Sequence, residues 1–222
     1  VEFPTYLCLE NSFPDMLPEK YDFNDVRYTP ALVEYFIQRY TLPGDTVLDP
    51  FCGFGTTITV AKKLDRHGFG IEIDDTKVAF MREQYGFESE LIHGDVKRLY
   101  LEQRLPAIDL IMTSPPYMGQ EDTADALSGY RFAGSYENYL QEITHIFERL
   151  GNLLTDTGHI IVEIANLKQQ NSITTLAWDV ATHLSSILTF QGEVVITWTG
   201  ERKSTGIYNY GYDHSYCLVF TN

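Results

Sequence analysis

The sequence predicts an α/β fold in which a mostly parallel seven-stranded sheet carries helices on both faces and an antiparallel hairpin at one edge. Three observations predict it. Short apolar runs alternate with longer amphipathic ones through most of the chain, the pattern of strands linked by crossover helices. The apolar run Val47 to Asp49 passes into a glycine-bearing turn, Cys52-Gly53-Phe54-Gly55, and then into a helical run. The last two apolar runs, Glu193 to Thr199 and Tyr216 to Phe220, are joined by a glycine- and tyrosine-rich loop, which places an antiparallel pair at the sheet edge.

Residues 1–28 mix proline, acidic and aromatic residues without a period and read as an irregular arm; residues 29–222 read as a single domain. A helix opens at Thr29-Pro30, with Thr29 as N-cap, Pro30 at the first helical position, and Leu32, Tyr35, Phe36 and Tyr40 on one face. Leu42-Pro43-Gly44-Asp45 ends it. Thr46 to Asp49 is the first strand and Thr56 to Leu64 the helix returning along the sheet. Phe69 to Ile73 is the second strand, Thr76 to Tyr85 a helix, Leu91-Ile92 a weak strand and Ile108 to Met112 a clear one. Tyr136 to Leu150 is an amphipathic helix, Thr155 to Gly158 a turn, Gly158 to Ile164 a buried strand, and Leu176 to Leu188 a helix.

With 222 residues, 44% of them hydrophobic, the chain suits one large domain. The formal charge of −15 works against nonspecific attraction to polyanions, so any nucleic-acid contact needs a local basic patch or a partner subunit. The three cysteines, Cys8, Cys52 and Cys217, have no paired spacing, which points to a reducing compartment, the cytoplasm by default. No apolar run approaches the ~20 residues that span a bilayer, so no membrane association is expected. The six histidines are scattered without metal-ligand spacing, and no metal is expected.

In a doubly wound sheet the ligand lies at the carboxyl ends of the strands, so the residues following each strand are the candidates. Asp49 and the glycine turn follow the first; Gly53 and Gly55 allow close backbone approach, and the N–H groups opening the next helix can hold an anionic group. Glu72 follows the second strand, at the spacing of a carboxylate that accepts from ribose hydroxyls, with a solvated strand end as the alternative. Asp95, after the third, can accept from an exocyclic amine while Val96 packs on the ring, or can cap a helix starting at Val96; both can hold together. After the fourth comes Thr113-Ser114-Pro115-Pro116-Tyr117. Its two prolines remove N–H donors and stiffen the backbone, leaving the Ser114 hydroxyl and carbonyl oxygens as rigid acceptors beside an aromatic plate. That combination suits an amino group on a planar base drawn out of a stack; the alternative is a proline turn with a buried Tyr.

Asp49-Pro50-Phe51-Cys52-Gly53-Phe54-Gly55-Thr56-Thr57 followed by Thr113-Ser114-Pro115-Pro116-Tyr117 resembles the S-adenosylmethionine-dependent amino-methyltransferases that modify DNA at cytosine N4 or adenine N6. The resemblance runs from Tyr28 to Phe220, with the cofactor motif ahead of the catalytic motif as in one of the permuted groups. It implies a Rossmann-like methyltransferase fold and S-adenosylmethionine as cofactor. It also implies that Asp49, Phe51, Gly53, Gly55, Thr56 and Thr57 line the methionine part, with Thr29 in the preceding segment. Glu72 then matches the ribose position, and Asp95 the adenine position. Ser114, Pro115, Pro116 and Tyr117 become the catalytic turn, in the Ser-Pro-Pro-Tyr form seen most often in N4-cytosine enzymes. The implied chemistry is direct in-line methyl transfer to the amino nitrogen. Cys52 lacks the Pro-Cys context of a carbon-5 nucleophile and reads as a small buried residue.

DNA is the implied partner, with tRNA an alternative, because guanine-N2 enzymes of tRNA share a similar cofactor loop. A non-catalytic cofactor-binding subunit of a larger assembly is the reading from a different class. Target contacts are expected from Met118 to Ser135, with Tyr130 and Arg131, and from Thr199 to Tyr212, with Arg202, Lys203, Tyr208, Tyr210 and Tyr212. Two solvated loops are the alternative. Asp213-His214-Ser215-Tyr216 reads as packing or edge capping rather than as a catalytic pair.

Overall fold

The computed structural model describes residues 4–13, 17, 27–99, 101, 105–169, 172–199 and 211–222. In chain order its elements are β1 (Tyr6–Glu10), α1 (Pro30–Tyr40), β2 (Thr46–Asp49), α2 (Thr56–Lys63), β3 (His67–Glu72), α3 (Asp75–Tyr85), β4 (Leu91–His93), β5 (Ile108–Thr113), α4 (Tyr136–Gly151), β6 (Leu154–Ile164), β7 (Leu167–Lys168), β8 (Ile173–Thr174), α5 (Leu176–Leu184), β9 (Thr189–Thr199) and β10 (His214–Thr221).

The main sheet has eight strands in the order β1-β9-β10-β6-β5-β2-β3-β4. Strands β4, β3, β2, β5 and β6 run parallel, and β10 is antiparallel to both β6 and β9. Successive residues in the central strands point to opposite faces: Leu48, Ile111, Ile160 and Val162 join one core cluster, while Val47, Leu110, Met112 and Ile161 join another. The first core is closed by α4 and α5, the second by α1 with Val60 and Ala61 of α2. This two-sided burial is what forces near-continuous apolar runs on the parallel strands. Gly68 lets α2 lie against β3, since a Cβ there would stand 3.0 Å from the Ile58 backbone.

Five expectations are corrected. The strand count is eight, not seven, because Tyr6–Glu10, inside the segment read as an irregular arm, pairs in parallel with β9. Only Leu7 and Leu9 face the core there, too few to make a period in the sequence. The β9–β10 hairpin is therefore not the sheet edge. Residues 155–158 are not a turn but part of β6; the ladder with β5 passes from Ile108↔Leu154 to Leu110↔His159 through a bulge, into which Thr155 Oγ1 donates to Asp109 Oδ1 at 3.2 Å. Finally, α5 ends at Leu184 rather than at Leu188, and the Val96 segment is a turn rather than a helix.

Candidate functional site

Strands β2 and β5 are neighbours at the reversal of strand order, and their carboxyl ends are tied together by a buried carboxylate. Asp49, 2% exposed, closes β2. Its Oδ1 accepts from Thr113 Oγ1 at 2.7 Å and from the Phe51 N–H at 3.1 Å. Its Oδ2 accepts from Tyr28 Oη at 2.6 Å and Thr57 Oγ1 at 2.7 Å, and the Tyr28 and Thr57 hydroxyls also touch each other. Burial pushes the Asp49 carboxyl up, and these donors pull against that shift. One side chain thus joins the segment before α1, the first turn of α2 and the end of β5 to the glycine turn. Thr29 is buried next to Tyr28, and its hydroxyl caps α1 by accepting from the Leu32 N–H at 3.4 Å.

The glycine turn is held from the other side by Glu72. Its Oε2 accepts from the Gly53 N–H at 2.8 Å, and its Oε1 from the Ile73 and Asp74 N–H groups at 3.0 and 2.9 Å. Burial raises the Glu72 carboxyl as well. Gly55 must be glycine: its φ is +84°, and a Cβ would stand 2.9 Å from Met81 Sδ. Gly53 has φ +54°, yet a Cβ there would meet nothing within 4 Å, so this part of the turn faces open space. Helix α2 starts at Thr56 with Gly55 in the N-cap position and no side-chain cap, so the N-cap residue satisfies none of its opening N–H groups through a side chain. Cys52 fits against Gly70, where a Cβ would stand 2.6 Å from Cys52 Sγ, and burial pushes its thiol well up, away from nucleophile chemistry.

At the end of β4, Asp95 Oδ1 accepts from the Lys97 N–H at 3.0 Å and Oδ2 lies 3.5 Å from Arg98 Nε, so it caps a turn. Val96 is buried in the core. Two cations the sequence did not single out pin this segment. Arg149 of α4 donates to the carbonyls of Val96, Lys97 and Leu99, the first two at 3.3 and 3.0 Å. Lys97 Nζ bridges Glu142 at 2.9 Å and Asp125 at 3.4 Å; burial pulls its pKa down, but those carboxylates outweigh it and leave it raised.

The turn after β5 is anchored from three elements. Pro116 O accepts from Tyr139 Oη of α4 at 2.9 Å, Tyr117 O from Tyr130 Oη at 3.3 Å, and Tyr117 Oη donates to Glu163 Oε2 of β6 at 3.1 Å. Pro115 is buried, Ser114 and Pro116 are partly exposed, and Tyr117 is 9% exposed. The broad exposed rings nearby belong to the following loop, Tyr130 at 58% and Phe132 at 64%. That loop is braced by a hairpin, β7–β8, through Gln120 N–H to Thr174 Oγ1 at 3.0 Å.

Residues 20–83 match the DNA methylase family. Over 84 residues the chain is 33% identical to the type II methyltransferase M.MjaI of Methanocaldococcus jannaschii, a match covering 38% of this chain and 23% of that protein. Over this segment the chain is similar to the DNA methylases. It is also 36% identical over 85 residues to the tRNA (guanine(10)-N2)-dimethyltransferase of Methanothermobacter thermautotrophicus, across 36% of this chain and 24% of that protein. These matches span about a quarter of each relative's length. Among solved structures, the PH0226 protein of Pyrococcus horikoshii superposes with TM-score 0.57 at 15% identity over 93% of this chain and 99% of that one. A TehB-like S-adenosylmethionine-dependent methyltransferase of Corynebacterium glutamicum gives 0.55 at 13% over 86% of each. Both likenesses establish the Rossmann-like methyltransferase fold.

S-adenosylmethionine is the cofactor that the fold and the methylase match imply, and the residues present fit it. The open side of Gly53 and the uncapped start of α2 suit its amino-acid end. Glu72 and Asp95, carboxylates on neighbouring strand ends, keep lone pairs beyond their backbone bonds for hydroxyl and amine donors. Asp49 is different. Its four internal donors make it a brace for the loop rather than an open acceptor.

Tyr28, Thr113, Lys97, Arg149 and Glu163 are site elements that strand-end reasoning did not pick out. Glu163 had a readable signal, a carboxylate inside the apolar run Ile160 to Ile164. His214 opens β10 with its ring between Tyr212 and Tyr216, edge-on at 5.4 and 5.3 Å. Of the second expected target loop, residues 200–210 lie outside the described residues, Arg202, Lys203, Tyr208 and Tyr210 among them. Among the described residues no His/Cys/Asp/Glu group could hold a metal, and no helix is long and apolar enough to cross a membrane.

Proposed function

We propose that this chain methylates the exocyclic amino group of a base in DNA, with cytosine N4 the favoured position over adenine N6. The observation that carries this reading is the Thr113–Asp49 hydrogen bond of 2.7 Å, which holds the glycine turn and the Ser114-Pro115-Pro116-Tyr117 turn side by side. When bound, S-adenosylmethionine supplies a methyl group on a sulfonium sulfur, a leaving group that needs no further activation. The glycine turn with Phe51, Thr56 and Thr57 and the Thr29 segment holds the methionine part, Glu72 the ribose, and Asp95 with Val96 the adenine. The Ser114 hydroxyl and the Pro115 carbonyl accept from the target amine and turn its lone pair toward the methyl carbon, where fixed geometry supplies several kcal/mol. Pro116 stiffens that turn through the Tyr139 bond, and Tyr117 bounds the base pocket. Ser at position 114, where adenine enzymes more often carry Asp or Asn, supports cytosine.

The acidic balance of −15 supports a partner subunit for target binding, with Tyr130, Arg131 and Phe132 flanking the site. The match to the tRNA dimethyltransferase favours RNA as the second reading. Purified protein incubated with labelled S-adenosylmethionine and either DNA or tRNA, followed by nucleoside mass spectrometry, tests both. N4-methyldeoxycytidine is the expected product, and label confined to tRNA overturns the DNA reading.

A further inference from the structure

Glu163 sits in a setting that disfavours an ionisable side chain. It is 1% exposed, on a strand otherwise apolar from Ile160 to Ile164, opposite Cys217 of β10. Burying a carboxylate there costs several kcal/mol unless its neighbours compensate, so a core position of this kind calls for a task that an apolar residue cannot perform. The partner it meets is in the acceptor turn, where Tyr117 Oη donates to Glu163 Oε2 at 3.1 Å. Its charge also reaches Cys217, and it is a minor contributor to the upward shift of Tyr28, whose hydroxyl belongs to the Asp49 cluster. Glu163 therefore ties β6 to the turn after β5.

We infer that Glu163 is a positioning residue for methyl transfer, fixing the Tyr117 side chain through its hydroxyl so that the ring presents a set wall to the target base. The Tyr139 and Tyr130 bonds hold only the backbone of this turn, at Pro116 O and Tyr117 O. The phenol oxygen lies on the long axis of the ring, so a bond at that atom sets where the axis points and leaves rotation about the axis to packing. An apolar residue at 163 would retain the packing and lose the direction. This inference rests on the amino-methyltransferase reading above.

The test compares wild type, Glu163→Gln, Glu163→Leu, Tyr117→Phe and the Leu/Phe double variant. Methylation is followed on the nucleic acid that wild type modifies, with cofactor affinity measured by calorimetry and stability by urea unfolding. Glu163→Leu and Tyr117→Phe should each lower kcat/KM for nucleic acid by about tenfold or more, mainly through KM, while the cofactor Kd stays within about twofold. The double variant should be no more than about threefold worse than either single one, because both remove the same bond. Glu163→Gln keeps an acceptor oxygen and should recover most of the loss. Should Glu163→Leu fail to fold, Tyr117→Phe carries the test, since it keeps the carboxylate and removes the bond; a kcat/KM for nucleic acid equal to wild type then overturns the inference. Additive losses, or equal loss of cofactor affinity, overturn the role of Glu163 alone. A wild-type protein that binds cofactor yet methylates neither DNA nor tRNA overturns the functional reading, and the role with it.

Discussion

Thr113 donates into the buried carboxylate of Asp49 from the neighbouring strand, so its hydroxyl joins the two halves of the site. Thr113→Val keeps the shape and removes one donor from that carboxylate. The expected cost is about 1–3 kcal/mol in urea unfolding, with Thr113→Ser restoring most of it; a loss indistinguishable from zero would mean that Asp49 does not depend on this bond. Gly55 is constrained twice, by its left-handed φ and by Met81 and Phe87 beside the missing Cβ. Gly55→Ala should therefore cost more than the ~1 kcal/mol of an ordinary glycine replacement and weaken cofactor binding in calorimetry. On the proposed reading Ser114→Ala and Tyr117→Ala touch the acceptor side alone: methylation should fall at least about a hundredfold while cofactor affinity persists. Cofactor affinity lost in step with activity would place these residues in the wrong half of the site.

Elements of this protein are joined by carboxylates with opposite titration behaviour, one at the site and one at the opposite rim of the sheet. Glu72 ties the end of β3 to the glycine turn, and burial raises its pKa. A raised carboxyl favours the neutral form in the folded state, so its contribution is greatest below the unfolded pKa and is lost as pH rises through the folded one. Thermal scans from pH 4.5 to pH 7 should accordingly show a shallower fall for Glu72→Gln than for wild type; parallel curves would contradict the assignment. Glu90 behaves in reverse. Its bond to Lys62 of α2 at 2.6 Å lowers its pKa to about 2, so the stability it adds is present above the ordinary 4.5 and disappears as pH falls toward 2. Both side chains are partly exposed, so Glu90→Gln should cost no more than about 1 kcal/mol at pH 7, and progressively less as pH falls toward 2, where the folded-state carboxyl is about half protonated. On the other flank, Arg149 binds three carbonyls of the segment after β4 with one guanidinium. Its planar fork matches several acceptors at once, which lysine cannot do.

At the scale of the molecule, β1 decides where the sheet ends. It covers β9 in parallel and adds Leu7 and Leu9 to the core that α1 closes. Removing residues 1–10 would expose the β9 ladder as an open edge, so light scattering should show association and calorimetry a lower melting temperature; a deletion variant as monomeric and stable as the full chain would show that β1 is dispensable. The overall charge of −15 sets the electrostatic background for any polyanion. Against that background, DNA binding by this chain alone should be weak and its salt slope shallow, since that slope counts phosphates neutralised by lysine and arginine.

Two kinds of information were needed for this protein. Strand and helix order, the glycine turn with its forced Gly55, the Thr29 cap and the proline turn of Ser114 to Tyr117 were legible because each is a local pattern, set by the period of buried side chains or by the backbone limits of glycine and proline. The tertiary structure alone decided what those patterns rest on. Asp49 receives Tyr28 from 21 residues away and Thr113 from 64, and Tyr117 meets Glu163 across 46. The edge strand β1 pairs with a strand near the other end of the chain. Such contacts leave no period in the sequence, because they arise only when the sheet brings distant strand ends to one rim and buries polar atoms that must then find partners there.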